Sequence, residues 1–224
     1  MVTAFRFILI LLFLAASTFK VAYAQERNLL PKYGAIQKSE AQKVNDEKFI
    51  AAADEIFKGD RKKASQHSSL RGWQYVRQGN FSDAMRRFNQ AWLLDNSNGS
   101  AIWGMAVFQA QTGKTGEAFK LFAEAEHLVG DDIDFLVDYA RLIGGAGGQF
   151  GDKDLLEDAF WRFAHAYEKA PQHTLNLQNW ASTLFYIGDY AESWKKIQLA
   201  EATPRGSEVD KNFIAALQSK MPRP

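Results

Sequence analysis

The residue types that most often carry chemistry occur here without the spacing that chemistry needs. Gly113-Lys114-Thr115 resembles the end of a phosphate-binding loop, in which a glycine-rich backbone and a lysine surround the phosphates. That motif requires a glycine five positions before its Gly-Lys pair, and Phe108 stands there. The triplet also falls in a predicted turn between two helices rather than after a strand. We therefore expect no nucleotide site.

The other candidates for catalysis or metal binding are equally scattered. No two histidines stand three or four residues apart, as two ligands on one helix face would; they are His67, His127, His165 and His173. Asp131 and Asp132 could suggest acid–base catalysis, but their negative charge suits the start of a helix better. There is no G-x-S-x-G motif, and the absence of cysteine removes thiol nucleophiles, disulfides, thiolate zinc sites and iron–sulfur clusters. The sequence therefore predicts a non-enzymatic protein with no cofactor and no metal.

The amino-acid composition and the net charge limit the classes of partner that we expect. The 224 residues are 46% hydrophobic, enough for one domain or two small ones with an apolar core. A net charge of +1, from 27 basic and 26 acidic residues, gives no reason to expect nucleic acid or an anionic membrane surface as a partner.

The N-terminal residues have the sequence features of a targeting segment. An apolar run, Phe7 to Ala16, follows Arg6 and precedes Ala22-Tyr23-Ala24. This order predicts a signal peptide, residues 1–24, cleaved after Ala24. The run is short for a membrane anchor, although Lys20 near the cleavage site gives some support to an uncleaved one. We expect a periplasmic or secreted bacterial protein with no stable membrane insertion after cleavage.

The rest of the chain repeats with a period of 34 residues. Gly79, Ala84, Phe88, Ala91 and Leu94 recur as Gly113, Ala118, Phe122, Ala125 and Leu128. Within each set, the Ala, aromatic and Ala positions are spaced i, i+4 and i+7, which places them on one face of a helix, and the glycine marks the preceding turn. Each unit is therefore predicted to be a helix, a turn and a second helix.

This pattern resembles the tetratricopeptide repeat (TPR), in which helix A carries a small residue and helix B carries Ala, an aromatic and Ala. The first copy matches at Gly72, Tyr75, Gly79, Phe81, Ala84, Phe88 and Ala91. The second matches at Ala106, Gly113, Ala118, Phe122 and Ala125. The third repeats the helix B pattern at Ala159, Phe163, Ala166 and Pro171, seven residues late, and the fourth matches at Ala181, Leu184, Gly188, Tyr190 and Ala200.

The seven extra residues are predicted to form a glycine-rich loop, 144–153, between the two helices of the third copy. Upstream, Ser39 and Gln42 resemble a capping box for an N-terminal helix, residues 39–64, whose apolar stripe ends at Gly59. Residues 25–38 show no periodicity and are predicted to be flexible. We place the repeats at 65–98, 99–132, 133–173 and 174–204, with a C-terminal capping helix and tail at 205–224.

The resemblance implies an all-α, right-handed α-α superhelix of about four TPR-like hairpins. Such proteins present a concave groove, and at its positions stand Trp73, Arg77, Trp103, Arg141, Phe185 and Tyr186. Trp, Tyr and Arg are enriched at interface hot spots. The ninth helix A position holds Trp73, Val107, Arg141 and Ser182. The asparagines that clamp a partner's terminal carboxylate in some TPR domains are therefore missing, which favours recognition of an internal segment or a folded surface.

The resemblance therefore favours an exported scaffold or adaptor that binds a protein or peptide partner in the groove. Two alternatives stay open: an immunity or inhibitor protein against an envelope-targeted toxin, and an accessory factor or enzyme of cell-wall or polysaccharide metabolism. Fold alone does not choose between them.

Overall fold

The computed structural model describes residues 27–224, so the predicted signal peptide lies outside the described residues. Its regular elements in this range are helices, which confirms the all-α helical-repeat fold class. We number them α1 (Glu40–Phe57), α2 (Arg61–Arg77), α3 (Phe81–Leu94), α4 (Gly99–Gln111), α5 (Thr115–Val129), α6 (Ile133–Phe150), α7 (Lys153–Lys169), α8 (Thr174–Tyr186), α9 (Tyr190–Glu201) and α10 (Lys211–Lys220). The chain divides into two compact units between Thr112 and Gly113, within the second predicted repeat.

The predicted capping box at the start of α1 is confirmed. The Ser39 hydroxyl accepts from the Gln42 N–H, and the Gln42 side chain accepts from the Ser39 N–H, satisfying two otherwise free donors. The helix is shorter than predicted: α1 ends at Phe57, because Lys58 and Gly59 take positive φ, and Asp60 caps a new helix. Residues 61–64 therefore belong to α2, which packs against α1, α3 and α4.

The prediction of a flexible segment over residues 25–38 is wrong for its described part. Arg27 is 6% exposed and donates to the Ile36 carbonyl at 2.7 Å and to the Gln42 side chain at 2.9 Å. The buried Asn89 amide of α3 donates to the carbonyls of Asn28 and Leu30, both at 2.9 Å. We call residues 27–38 the N-terminal strap; distant polar side chains, which periodicity cannot reveal, hold it in place.

The second unit contains two hairpins, α6–α7 and α8–α9, together with α5 and α10. The C-terminal helix was predicted to cap the repeats, and α10 does so. Its Leu217 is fully buried in one cluster with Trp194 and Ile197 of α9 and with Val209. The Trp194 indole N–H also donates to the Met221 carbonyl, at 3.1 Å, which fixes the end of the chain.

The predicted glycine-rich loop is instead helix. The first helix of the third repeat, α6, runs through Phe150, so only Gly151 and Asp152 connect it to α7. The glycines allow close packing: a Cβ at Gly144 would lie 2.5 Å from the Thr183 hydroxyl, and one at Gly147 would lie 2.9 Å from Leu156. Two helical turns, rather than a loop, account for the seven inserted residues.

Over residues 27–224, no helix combines the length and the hydropathy needed to cross a membrane.

Candidate functional site

The repeat positions supply the rigid core that holds any binding residues. Ala84, Ala118 and Ala159 are completely buried, as predicted for positions of close helix packing. In the first unit, the Phe88 ring of α3 is also fully buried. A Cβ added at Gly72 of α2 or at Gly104 of α4 would lie within 2.4 Å of that ring. Three helices therefore meet at one aromatic side chain.

The two predicted tryptophans of the first unit lie together. The ring centroids of Trp73 and Trp103 are 4.4 Å apart, and the Trp73 indole N–H donates to the Ser100 hydroxyl at 2.9 Å. Trp73 is half-buried, whereas Trp103 is only 9% exposed. Trp103 therefore contributes mainly to the core, and its contact with a partner stays a prediction.

The two predicted arginines lie at the surface. Arg77 is in the last turn of α2 and Arg141 is in the middle of α6, and both side chains reach solvent. Neither side chain forms an ion pair or a hydrogen bond with any residue of the described chain. Their guanidinium groups are therefore available to a partner's carboxylates or carbonyls.

Phe185 and Tyr186, adjacent at the end of α8, have different surroundings. The Phe185 ring packs against Tyr190 at 5.5 Å and against Phe213 of α10 at 5.6 Å, so it belongs to the core of the C-terminal cap. Tyr186 is 68% exposed. Its Cβ sits close to α6, since a Cβ at Gly148 would be 3.2 Å away. The base of Tyr186 is therefore held while its ring faces solvent.

A cluster of charges around the buried Arg162 fixes the α6–α7 hairpin. The Arg162 guanidinium, on α7, binds the Glu126 and Asp158 carboxylates and lies 4.3 Å from the Tyr139 ring centroid. Burial opposes the charge of Arg162, but the two carboxylates outweigh it and raise the Arg162 pKa. Burial also raises the pKa of the Tyr139 hydroxyl. The cluster is structural: it joins α5, α6 and α7 within the second unit.

One apolar surface was not predicted from the sequence. An open cavity of about 590 Å³ lies against α7 and α8, lined by Leu156, Phe160, Trp161, Ala164 and Trp180 together with Lys153 and Glu157. Trp161 is 58% exposed and stacks on His165 at 5.2 Å. The spacing of Leu156, Phe160 and Ala164, four residues apart, could have predicted a second apolar stripe on α7.

No group of three His, Asp or Glu side chains within residues 27–224 is placed to hold a metal ion.

Comparisons with known proteins identify the fold. No protein-family model and no curated protein sequence matches the chain. Among solved structures, the chain is similar to TTC0263, a thermophilic TPR protein of Thermus thermophilus, with a TM-score of 0.62 and 16% sequence identity. The match covers 71% of this chain and 84% of that protein. At this identity the likeness concerns the fold alone, and the chain shares the helical-repeat fold of a TPR protein.

Proposed function

We propose that this chain is an exported, non-enzymatic scaffold that binds a protein partner through exposed helix A residues of its TPR-like hairpins. The single observation that carries the proposal is Tyr186. Its Cβ lies against α6 at Gly148 while its ring is 68% exposed. A large aromatic group held in place before binding loses little conformational entropy when a partner covers it.

The exposed arginines support the same proposal. Arg141 in the second unit and Arg77 in the first have no ion-pair partner among residues 27–224. An arginine that must be desolvated at an interface contributes most where a partner supplies a planar acceptor. We infer that the partner presents acidic or carbonyl-rich segments to these positions. Residues 1–24 support export, because their order of charge, apolar run and small residues suits a signal peptide.

The test is to crosslink the protein in its native envelope, identify the captured partner and measure its affinity. Tyr186→Ala should weaken that affinity by about 2 kcal/mol, because a hot-spot aromatic is lost, and should leave the thermal melt unchanged. Leu175→Ala is the matched control, since Leu175 lies on the same helix and is 48% exposed. It should bind normally.

Full affinity of the Tyr186→Ala, Arg77→Ala and Arg141→Ala variants would refute binding through these helices. A single, dedicated, very tight partner would instead favour the immunity-protein alternative. Capture of glycan strands would favour the cell-wall alternative.

A further inference from the structure

One face of α7 is exposed or only partly buried in the described part of the chain, residues 27–224. Its central stripe runs along the helix at intervals of three and four residues and consists of Lys153, Glu157, Phe160, Ala164 and Glu168. The opposite side of the same helix is the core side, where Ala159, Phe163 and Ala166 are all completely buried. We call the central stripe and the flanking Trp161 the outer α7 face.

The middle of this face is apolar and its shape is uneven. The Trp161 indole is 58% exposed, beside the open cavity of about 590 Å³ that Leu156, Phe160 and Trp180 help to line. The same surface therefore carries both a projecting side chain, Trp161, and an apolar recess of the kind that accepts one. A surface of this kind can complement a second copy of itself.

The ends of the face carry opposite charges. Lys153, at the start of the helix, is exposed and forms no ion pair within the described residues. Glu168, at the end, has a side chain that is 76% exposed, with a 3.8 Å contact to His165 as its ion pair. The two residues are separated by about 22 Å along the axis, at 1.5 Å per residue. The two end residues therefore have opposite signs, and Glu157, one turn from Lys153, is a further negative charge between them.

We propose that a second copy of this chain covers the outer α7 face, with the two α7 helices antiparallel about a two-fold axis. When Phe160 of one copy lies opposite Trp161 of the other, Lys153 of the first copy lies opposite Glu168 of the second. Each of these two residues is about seven positions from the central pair, in opposite directions along its helix. The two-fold axis forms each of these pairs twice. A parallel arrangement would place Lys153 against Lys153, so the charges select the antiparallel one. This interface is separate from the helix A residues of the proposed function.

The experiment is sedimentation velocity of the purified protein over a range of micromolar concentrations. The wild-type protein is expected to dimerise, and Trp161→Ala should raise the dimer dissociation constant at least about tenfold, because the projecting ring is lost. Tyr186→Ala is the matched control, since Tyr186 lies in the same unit and is 68% exposed. It should dimerise normally even if it no longer binds the partner.

A charge exchange tests the antiparallel register. Lys153→Glu alone places two acidic groups opposite each other and should weaken the dimer, and Glu168→Lys alone should do the same. The double variant restores opposite charges and should recover dimerisation. Each substitution puts its new charge at the helix end that favours it, so the fold is retained.

A monomeric wild-type protein, or a dimer that Trp161→Ala leaves unchanged, would overturn the proposal. A protein that stays monomeric and uses Trp161 to bind a different protein would also overturn the proposal. A double variant no tighter than either single variant would overturn the antiparallel register.

Discussion

The two units use glycine for different packing tasks, and the contrast shows how to interpret glycine in a helical repeat. In the first unit, Gly72 and Gly104 lie on different helices and make room for one ring, that of Phe88. In the second unit, three glycines of one helix receive side chains of two others: Gly144 and Gly148 lie against α8, and Gly147 lies against α7. Five glycines in ten residues therefore need not indicate a loop when neighbouring helices fill the space that the missing side chains leave.

The units also stabilise their polar groups differently. In the first unit, the buried Arg27 binds a carbonyl and an amide oxygen, and the buried Asn89 amide binds backbone carbonyls of the N-terminal strap. In the second unit, the buried Arg162 is neutralised by two carboxylates that stay partly exposed. Asn89 fixes one segment, whereas Arg162 joins three helices. Its removal should therefore affect the whole unit.

The largest effect is expected at the crowded glycine of the first unit. In Gly104→Ala, the new Cβ would lie within 2.4 Å of three atoms of the Phe88 ring. A Cβ at Gly72 would also lie 2.4 Å from that ring, so the ring has little room to move away. The free energy of unfolding should fall by about 3 kcal/mol, measured by denaturant titration.

The matched control is Gly145→Ala, in the second unit. A Cβ there would meet nothing within 4 Å, and helix propensity should raise the free energy of unfolding by about 0.5–1 kcal/mol. Equal effects of the two substitutions would contradict the difference in packing between the units.

An intermediate effect is expected for the charge cluster of the second unit. Arg162→Met keeps an unbranched side chain at this position but leaves Glu126 and Asp158 without their cation. We expect a loss of about 2 kcal/mol in the free energy of unfolding. That is less than for a fully buried pair, because both carboxylates can regain water. Arg162→Lys keeps the charge and should lose less; a loss as large as that of Arg162→Met would show that packing, rather than charge, holds the cluster.

The smallest global effect is expected for the strap anchor of the first unit. Asn89→Leu removes both donors to the strap and should lower the free energy of unfolding by about 1 kcal/mol. Its main consequence should be local: amide hydrogen exchange over residues 27–38 should accelerate, while exchange in α2 stays slow. Gln90→Leu, one position along α3, is the control and should leave the strap protected. Unchanged exchange in Asn89→Leu would mean that other contacts hold the strap.

Features encoded by nearby residues could be predicted from the sequence. The capping box of Ser39 and Gln42, the helix start at Asp132 and the turn at Gly113, which has a φ of 77°, all depend on residues within a few positions. The exposure of the candidate binding residues could not be predicted in the same way. Phe185 and Tyr186 are neighbours in sequence, yet one packs against Phe213 and the other faces solvent.

The sequence by itself determined the all-α helical-repeat fold and several helix ends, because a 34-residue period and local capping specify which helix face is apolar. Tertiary packing decided which glycines lie within a helix and whether the N-terminal strap is fixed against α3. It also decided which face of α7 is exposed among the described residues. Each of these outcomes depends on side chains from other helices or from distant parts of the chain. Examples are the Asn89 amide, which donates to the Asn28 carbonyl, and Thr183, which packs against Gly144. A periodic pattern reports the face that a helix buries, but not the neighbour that fills the space beside it.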